Sequence, residues 1–161
     1  MRETPKHHDA KGLHTGTRGR LGKRRKSREF ALQVLYQWEI TGQEAARGLA
    51  QFREHLVPEG NGDQFTECLV RGVLDHRQEI DGIIEGHSEN WRLKRMPLVD
   101  RNILRIATFE LLYCEEIPPK VTLNEAIELA KRFGSEESGS FINGILDRIM
   151  SKVSKTKPIA N

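Results

Sequence analysis

A chain of 161 residues with 37% hydrophobic and 30% charged residues can form one domain with a hydrophobic core, or two small subdomains that share one. No apolar stretch approaches the length of a membrane span, and Cys68 and Cys114 lack the spacing of a metal site, so we expect a cytoplasmic protein with reduced thiols. Residues 1–28 contain ten Lys or Arg and two acids, an asymmetry typical of a basic arm that binds nucleic acid or an acidic surface.

The first predicted element is a basic segment that turns into an amphipathic helix. Residues 1–21 hold few apolar side chains, and we expect a flexible basic tail there. A helix follows from about residue 24 to residue 41, and its apolar stripe comprises Phe30, Val34 and Trp38. The cations at 23–26 would lie at or just before its N-terminus, where the helix dipole disfavours each exposed cation by about 0.3–1 kcal/mol. An external anion would relieve this misfit, and phosphate is the obvious candidate.

Helical periodicity continues along the rest of the chain, and no segment alternates as a strand would. The predicted helices cover about residues 44–56, from 63 onward, 78–91 (a fourth helix or a continuation of the third), 97–115, 122–134 and a last helix that includes Phe141. Thr122 and Glu125 match a capping box at the start of the sixth helix. The pattern predicts an all-α fold of about seven helices over residues 22–153, with a frayed tail at 154–161.

The sequence shows none of the catalytic motifs that we considered. The sequence has no phosphate-cradling glycine loop and no nucleophile elbow, and no two of its six histidines lie at the spacing of a metal site. We therefore expect a binding protein without a catalytic residue, a metal or a cofactor. Tyr36 lies off the apolar stripe, so its ring is exposed or half exposed, and base stacking and plain packing are equally compatible with it. Phe141 directly follows Ser138-Gly139-Ser140, and for its ring too base stacking and plain packing are both compatible with the sequence.

Four groups of residues match one known family. Near the N-terminus they are Arg28, Glu29, Ala31, Gln33, Leu35, Tyr36 and Trp38. The second group is Ile103, Leu104, Arg105, Ile106, Ala107, Glu110 and Leu111. The third runs from Pro119 to Gly134 and contains Asn124-Glu125-Ala126-Ile127-Glu128-Leu129-Ala130-Lys131, and the fourth comprises Ser138, Phe141, Asn143, Gly144, Leu146 and Asp147. Over about residues 23–150 the sequence resembles the NusB family of bacterial transcription antitermination factors.

The resemblance implies two small helical subdomains packed across one another, here about residues 22–76 and 77–153, and a role without catalysis. Members of the family pair with NusE, a small-subunit ribosomal protein, and the pair binds the boxA element of nascent RNA. That assembly helps RNA polymerase read through terminators, notably in ribosomal RNA operons. Some members form homodimers, and the sequence does not decide whether this chain does.

The resemblance also implies roles for individual residues. The RNA-binding positions of the family correspond here to Arg24, Arg25, Lys26, Arg28, Tyr36, Glu137 and Phe141. Asp100 corresponds to an acidic position on the surface that meets NusE. Lys26 stands where an arginine is frequent, which keeps the charge but loses the bidentate fork of the guanidinium.

Two other interpretations remain open at this point. Some RNA cytosine methyltransferases carry a NusB-like amino-terminal domain, although this sequence shows neither a glycine-rich cofactor strand nor a catalytic cysteine region. Alternatively, the chain is a protein-interaction module whose basic segment docks on an acidic partner and has no role with RNA.

Overall fold

The computed structural model describes residues 11–55 and 63–156, which form seven α-helices and one short 3-10 helix and no strand. The helices are α1 (Lys11–Thr41), α2 (Ala45–His55), α3 (Asp63–Asp75), α4 (Arg77–Gly86), α5 (Leu98–Tyr113), α6 (Pro119–Phe133) and α7 (Ser138–Thr156), and the 3-10 helix is Leu93–Arg95. The all-α prediction is confirmed. No helix in the described part of the chain is long and apolar enough to cross a membrane. Of the two predicted tails, residues 1–10 and 157–161 lie outside the described residues.

Helix α1 begins well before the predicted start. It already includes Lys11, so the cations at 23–26 lie in its interior, and their predicted place at the helix N-terminus is wrong. Once a helix is nucleated, each added residue contributes one hydrogen bond, and α1 extends in this way although Gly12, Gly16, Gly19 and Gly22 are poor helix formers. The dipole therefore does not oppose these cations, but their mutual repulsion at three- and four-residue spacing still favours an external anion. The helix ends before Gly42, which adopts φ 65° and donates its N–H to the Trp38 carbonyl at 3.0 Å.

Two other boundaries differ from the sequence-based prediction. A turn at His76 separates α3 from α4, and α4 ends at Gly86, so Trp91 lies in the connection to α5. Helix α6 begins at Pro119, where the missing N–H of proline leaves no helical hydrogen bond unmade. Thr122 and Glu125 are therefore buried inside α6 and bond to other helices, and the predicted capping box is wrong.

Helix α5 is the centre of the fold. It packs against α1, α3, α4, α6 and α7, and every side chain from Asn102 to Leu111 is buried. Its N-terminal end contacts the start of α7 through Asp100 and Ser138, and Glu110 near its other end contacts α1. The fold thus positions two surfaces, one on α1 and one where α5 meets α7. The division into subdomains 22–76 and 77–153 remains a prediction.

The closest approach of α3 to α5 requires a glycine. A Cβ atom on Gly72 would overlap the ring of Phe109, whereas a Cβ atom on Gly82 of α4 would meet nothing within 4 Å. We expect Gly72→Ala to lower the free energy of unfolding by about 1–3 kcal/mol because the ring must shift. Gly82→Ala, the matched control, should raise it by about 0.5–1 kcal/mol because alanine favours the helix. Urea unfolding of both variants measures the difference, and equal stabilities would contradict the close approach.

Candidate nucleic-acid interface

The cations predicted to bind RNA do not all face the solvent. Lys23 and Lys26 are exposed, whereas Arg28 is 1% exposed. Arg28 lies seven residues before the fully buried Leu35, and side chains at this spacing leave a helix on the same face. Lys26 points about 160° away from Arg28 around the helix. We call the exposed side that carries Lys23 and Lys26 the outer face of α1.

Arg28 forms a buried ion pair with Glu110 of α5. Its Nε and Nη2 atoms donate to the two carboxylate oxygens at 2.8 and 2.7 Å, and Thr122 Oγ1 donates to the same carboxylate at 3.2 Å. The ring of Phe65 lies against the guanidinium, with its centroid 5.4 Å from Cζ. The side chain predicted to contact RNA is thus turned into the protein, and its role here is to hold α1 on α5.

Arg24 and Arg25 also have partners within the protein, but they keep contact with solvent. The Arg24 guanidinium lies over the ring of Phe65, 5.0 Å from its centroid. Arg25 donates from Nε and Nη2 to both oxygens of Glu125 on α6, at 2.9 and 3.0 Å, and its side chain is 50% exposed. This hydrogen bond and the Glu125 charge raise the pKa of Arg25. Both guanidinium groups are therefore held in place at the protein surface.

Tyr36 is the exposed aromatic residue of α1. It is 38% exposed, while its neighbour Leu35 is fully buried. The exposure expected from its position off the apolar stripe is confirmed, and a role in stacking remains a prediction. Tyr36 lies ten residues along α1 from Lys26, about 15 Å in the axial direction.

The other three predicted residues share one depression between the N-terminal ends of α5 and α7. This α5–α7 cleft has a volume of about 570 Å³ and is lined by Trp91, Pro97, Asp100, Ser135, Glu137, Ser140 and Phe141. Glu137 is exposed and Phe141 is half-buried. The residue predicted to meet a protein partner, Asp100, therefore lies beside two residues predicted to meet RNA.

Asp100 lines this cleft and is largely buried. It is 4% exposed, and one of its oxygens accepts a 2.7 Å hydrogen bond from Ser138 Oγ. The same serine oxygen accepts the backbone N–H of Ser135 at 2.9 Å. Burial raises the pKa of Asp100, and the Ser138 hydrogen bond partly opposes this shift. Asp100 thus fixes the start of α7 on α5, and its contact with a partner remains a prediction.

The structure places five of the predicted residues on α1, namely Tyr36 and four cations of which Arg28 is buried, and the other three at the cleft. Two surface residues were missing from the predicted site. Lys23 is exposed, like Lys26, and its place in the same run of cations is the sequence signal for it. The periodicity places Trp91 at the end of a predicted helix, but a large aromatic residue between Asn90 and Arg92 is an unusual feature of a polar segment. Among the side chains that the structure describes, no group of three or more His, Cys, Asp or Glu could hold a metal ion.

The buried ion pair should dominate the response to mutation of α1. We expect Arg28→Met to lower the free energy of unfolding by about 3–5 kcal/mol, because Glu110 is then buried without its counter-charge. The double variant Arg28→Met/Glu110→Leu removes the uncompensated charge and should recover most of this loss. Urea denaturation measures both, and a loss below about 1 kcal/mol in the single variant would contradict the structural role.

The environment of Asp100 predicts a pH-dependent stability. Its pKa is raised in the folded state, so the folded protein loses stability relative to the unfolded chain as the pH rises and the carboxyl ionises. The stability of Asp100→Asn minus that of the wild type should therefore increase with pH above about pH 4. Ser138→Ala removes the hydrogen bond that opposes the shift, so its stability should fall by a larger total amount with rising pH than that of the wild type. Urea unfolding across this pH range is the measurement, and a difference that falls with pH would contradict the assignment.

Comparison with known proteins identifies the family of the chain. A model of the NusB family matches residues 25–151. A Syntrophus aciditrophicus protein named transcription antitermination protein NusB is 50% identical over 135 residues, which cover 84% of this chain and 84% of that protein. The solved structure of T. maritima NusB has a TM-score of 0.74 at 38% identity and covers 80% of this chain and 91% of that chain.

A further solved structure holds the antitermination factors NusB and NusE in complex with double-stranded RNA. The matching chain in it has a TM-score of 0.74 at 28% identity, and the match covers 81% of this chain and 97% of that chain. The sequence, the helical architecture and these matches lead to one assignment. The chain belongs to the NusB family.

Proposed function

We propose that this chain is an RNA-binding transcription antitermination factor that acts with NusE on boxA RNA. In this role it joins the antitermination complex of RNA polymerase in the cytoplasm and promotes read-through in ribosomal RNA operons, without a catalytic step of its own. The observation that carries the proposal is the run of solvent-accessible cations on α1, where exposed Lys23 and Lys26 lie beside Arg24 and Arg25.

The proposed phosphate contacts fall into two classes. Lys23 and Lys26 make no ion pair with another described side chain, so they are available to phosphates at no cost to the fold. Arg25 is half exposed but shared with Glu125, so a phosphate at Arg25 competes with a carboxylate already in place. Cations on α1 attract any nucleic acid and carry little sequence information. The choice of one RNA sequence over another therefore requires other contacts, which we assign to residues that contact the bases and to NusE.

The relatives support the choice of partners. A NusB relative at 28% sequence identity forms a complex with NusE and double-stranded RNA. A relative at 50% sequence identity is named transcription antitermination protein NusB. The proposed contacts extend along α1 to Tyr36 and, at the α5–α7 cleft, to Glu137 and Phe141. For Asp100, which is almost fully buried, we propose an indirect effect on NusE through the position of α7.

The lysines of the outer face of α1 provide the test. We expect Lys23→Ala/Lys26→Ala to weaken binding to a boxA single strand and to lower the slope of log K against log[salt] by about 1.4, because each lost phosphate contact removes about 0.7 on single strands. Fluorescence anisotropy at several salt concentrations, with and without NusE, measures both quantities. Arginine variants are poorer probes, since Arg25→Ala would leave Glu125 buried at 8% exposure without its partner.

A matched control removes two exposed cations elsewhere. Arg47 of α2 and Arg71 of α3 are both exposed, Arg71 in a surface ion pair with Glu67 at 2.8 Å. Arg47→Ala/Arg71→Ala lowers the net charge by the same amount, and loss of this surface pair changes stability by at most about 1 kcal/mol. This control should keep the wild-type slope. If both double variants lower the slope equally, the cations of α1 are not the phosphate site, and if the wild type fails to bind boxA RNA with NusE present, the proposed function itself is wrong.

A further inference from the structure

The α5–α7 cleft contains an aromatic corner whose function the cations of α1 do not explain. Trp91, in the connection before α5, and Phe141, on α7, meet edge to face with ring centroids 6.1 Å apart and an interplanar angle of 72°. Trp91 is 50% exposed, although its indole is the largest apolar side chain of this region. In an edge-to-face contact only one of the two rings uses its face, and the half-exposed indole of Trp91 keeps surface that a flat ligand can contact.

Trp91 is held in place although it lies outside the helices. Its backbone carbonyl accepts a 2.7 Å hydrogen bond from Ser88 Oγ, and the 3-10 helix Leu93–Arg95 follows directly. On the other side, Arg148 of α7 donates to the carbonyl of His87 at 2.7 Å and ties the connection to α7. The backbone that carries Trp91 is therefore fixed by bonds within the protein, and its ring already contacts Phe141, which lowers the entropy lost on binding.

The charged groups of the cleft are carboxylates, which only accept hydrogen bonds when ionised. Asp100 and Glu137 both line it, together with the hydroxyl groups of Ser135 and Ser140, and this lining contains no cation. Arg148 lines a second depression on the other side of Trp91 and Phe141, where it donates to the His87 carbonyl. The Glu137 carboxylate makes no hydrogen bond or ion pair to another described residue. Carboxylates repel phosphates but accept hydrogen bonds from amino groups on base edges, as they do from the N4 amine of cytosine. The cleft thus suits the base of a nucleotide and not its backbone.

We propose that the corner formed by Trp91 and Phe141 binds one unpaired RNA base, that the base stacks on Trp91, and that Glu137 selects a base with an exocyclic amino group. This inference rests on the proposed RNA-binding function and adds Trp91 as a base contact. A volume of about 570 Å³ is ample for one base. Base stacking on an aromatic side chain is sequence-tolerant by itself, so selection requires the carboxylate.

The test measures the affinity of the full chain, with NusE present, for boxA single strands in which each base in turn is replaced by an abasic site. The same strands are measured with Trp91→Ala, so that the effect of each missing base can be compared with and without the indole. At one position the abasic site should weaken binding to the wild type by about 5- to 100-fold and leave binding to Trp91→Ala almost unchanged. At that same position, exchange of cytosine for uracil, or of adenine for purine, should weaken binding to the wild type but not to Glu137→Ala.

Tyr113→Leu is the matched control, since Tyr113 is 41% exposed and lies at the far end of α5, about 20 Å from Asp100. Its effect should be independent of every abasic site. If the wild type binds RNA and no position couples to Trp91, the base site is wrong while the proposed function stands. If Trp91→Ala weakens binding of NusE in the absence of RNA, the corner is a protein contact and the proposal is overturned. Failure of the wild type to bind RNA would instead refute the proposed function.

A second readout does not depend on the stability of the alanine variant. Trp91 and Trp38 are the two tryptophans of the chain, and stacking on a base should quench the emission of Trp91. RNA should therefore quench wild-type fluorescence more than that of Trp91→Phe, and the abasic site at the coupled position should abolish the difference. Equal quenching in the two proteins would overturn the stacking contact.

Discussion

The ion pair between Arg28 and Glu110 determines what α1 presents to solvent. Both side chains are at most 2% exposed, where an unpaired charge would be strongly destabilising. Two parallel hydrogen bonds and a third from Thr122 satisfy the carboxylate and fix the guanidinium in one orientation. Because a helix is a rigid cylinder at this scale, the anchoring of Arg28 also fixes the directions of Lys23 and Lys26. One buried cation thereby directs its neighbours outward.

A second ion network holds the other end of α1. Arg105 of α5 pairs with Glu39 of α1 and with Asp81 of α4, and Arg101 also pairs with Glu39 at 3.1 Å. Helix α5 is thus joined to α1 by ion pairs at Arg28 and at Glu39, and a hydrophobic stripe of α1 packs between these two points. Rotation or sliding of α1 would break both networks at once. The cationic surface is therefore part of the same rigid unit as the core, which favours a preorganised binding surface over one that forms on contact with RNA.

Much of this arrangement was accessible from the sequence, because the helices follow apolar periodicity and the family resemblance rests on several motifs. The burial of Arg28 is also compatible with the sequence, since Arg28 lies in register with Leu35, but a buried arginine requires a partner, Glu110, that lies 82 residues away. The capping box failed because Thr122 and Glu125 have tertiary partners, Glu110 and Arg25, that no local pattern reveals. For the same reason the burial of Asp100 could not be foreseen: its partner Ser138 is distant in sequence.

The charges of the two candidate surfaces have opposite sign, and this constrains how a nucleic acid could use both. Phosphates are attracted to α1 and repelled by Glu137, whereas amino groups of bases are attracted to the carboxylates of the cleft. A strand that reaches both surfaces must therefore turn its backbone toward α1 and at least one base toward Trp91. A base paired within a duplex cannot make that turn without unpairing, so the cleft favours a single-stranded or locally opened RNA. The cations of α1 attract any RNA, whereas the carboxylates of the cleft add a preference for RNA with an unpaired base.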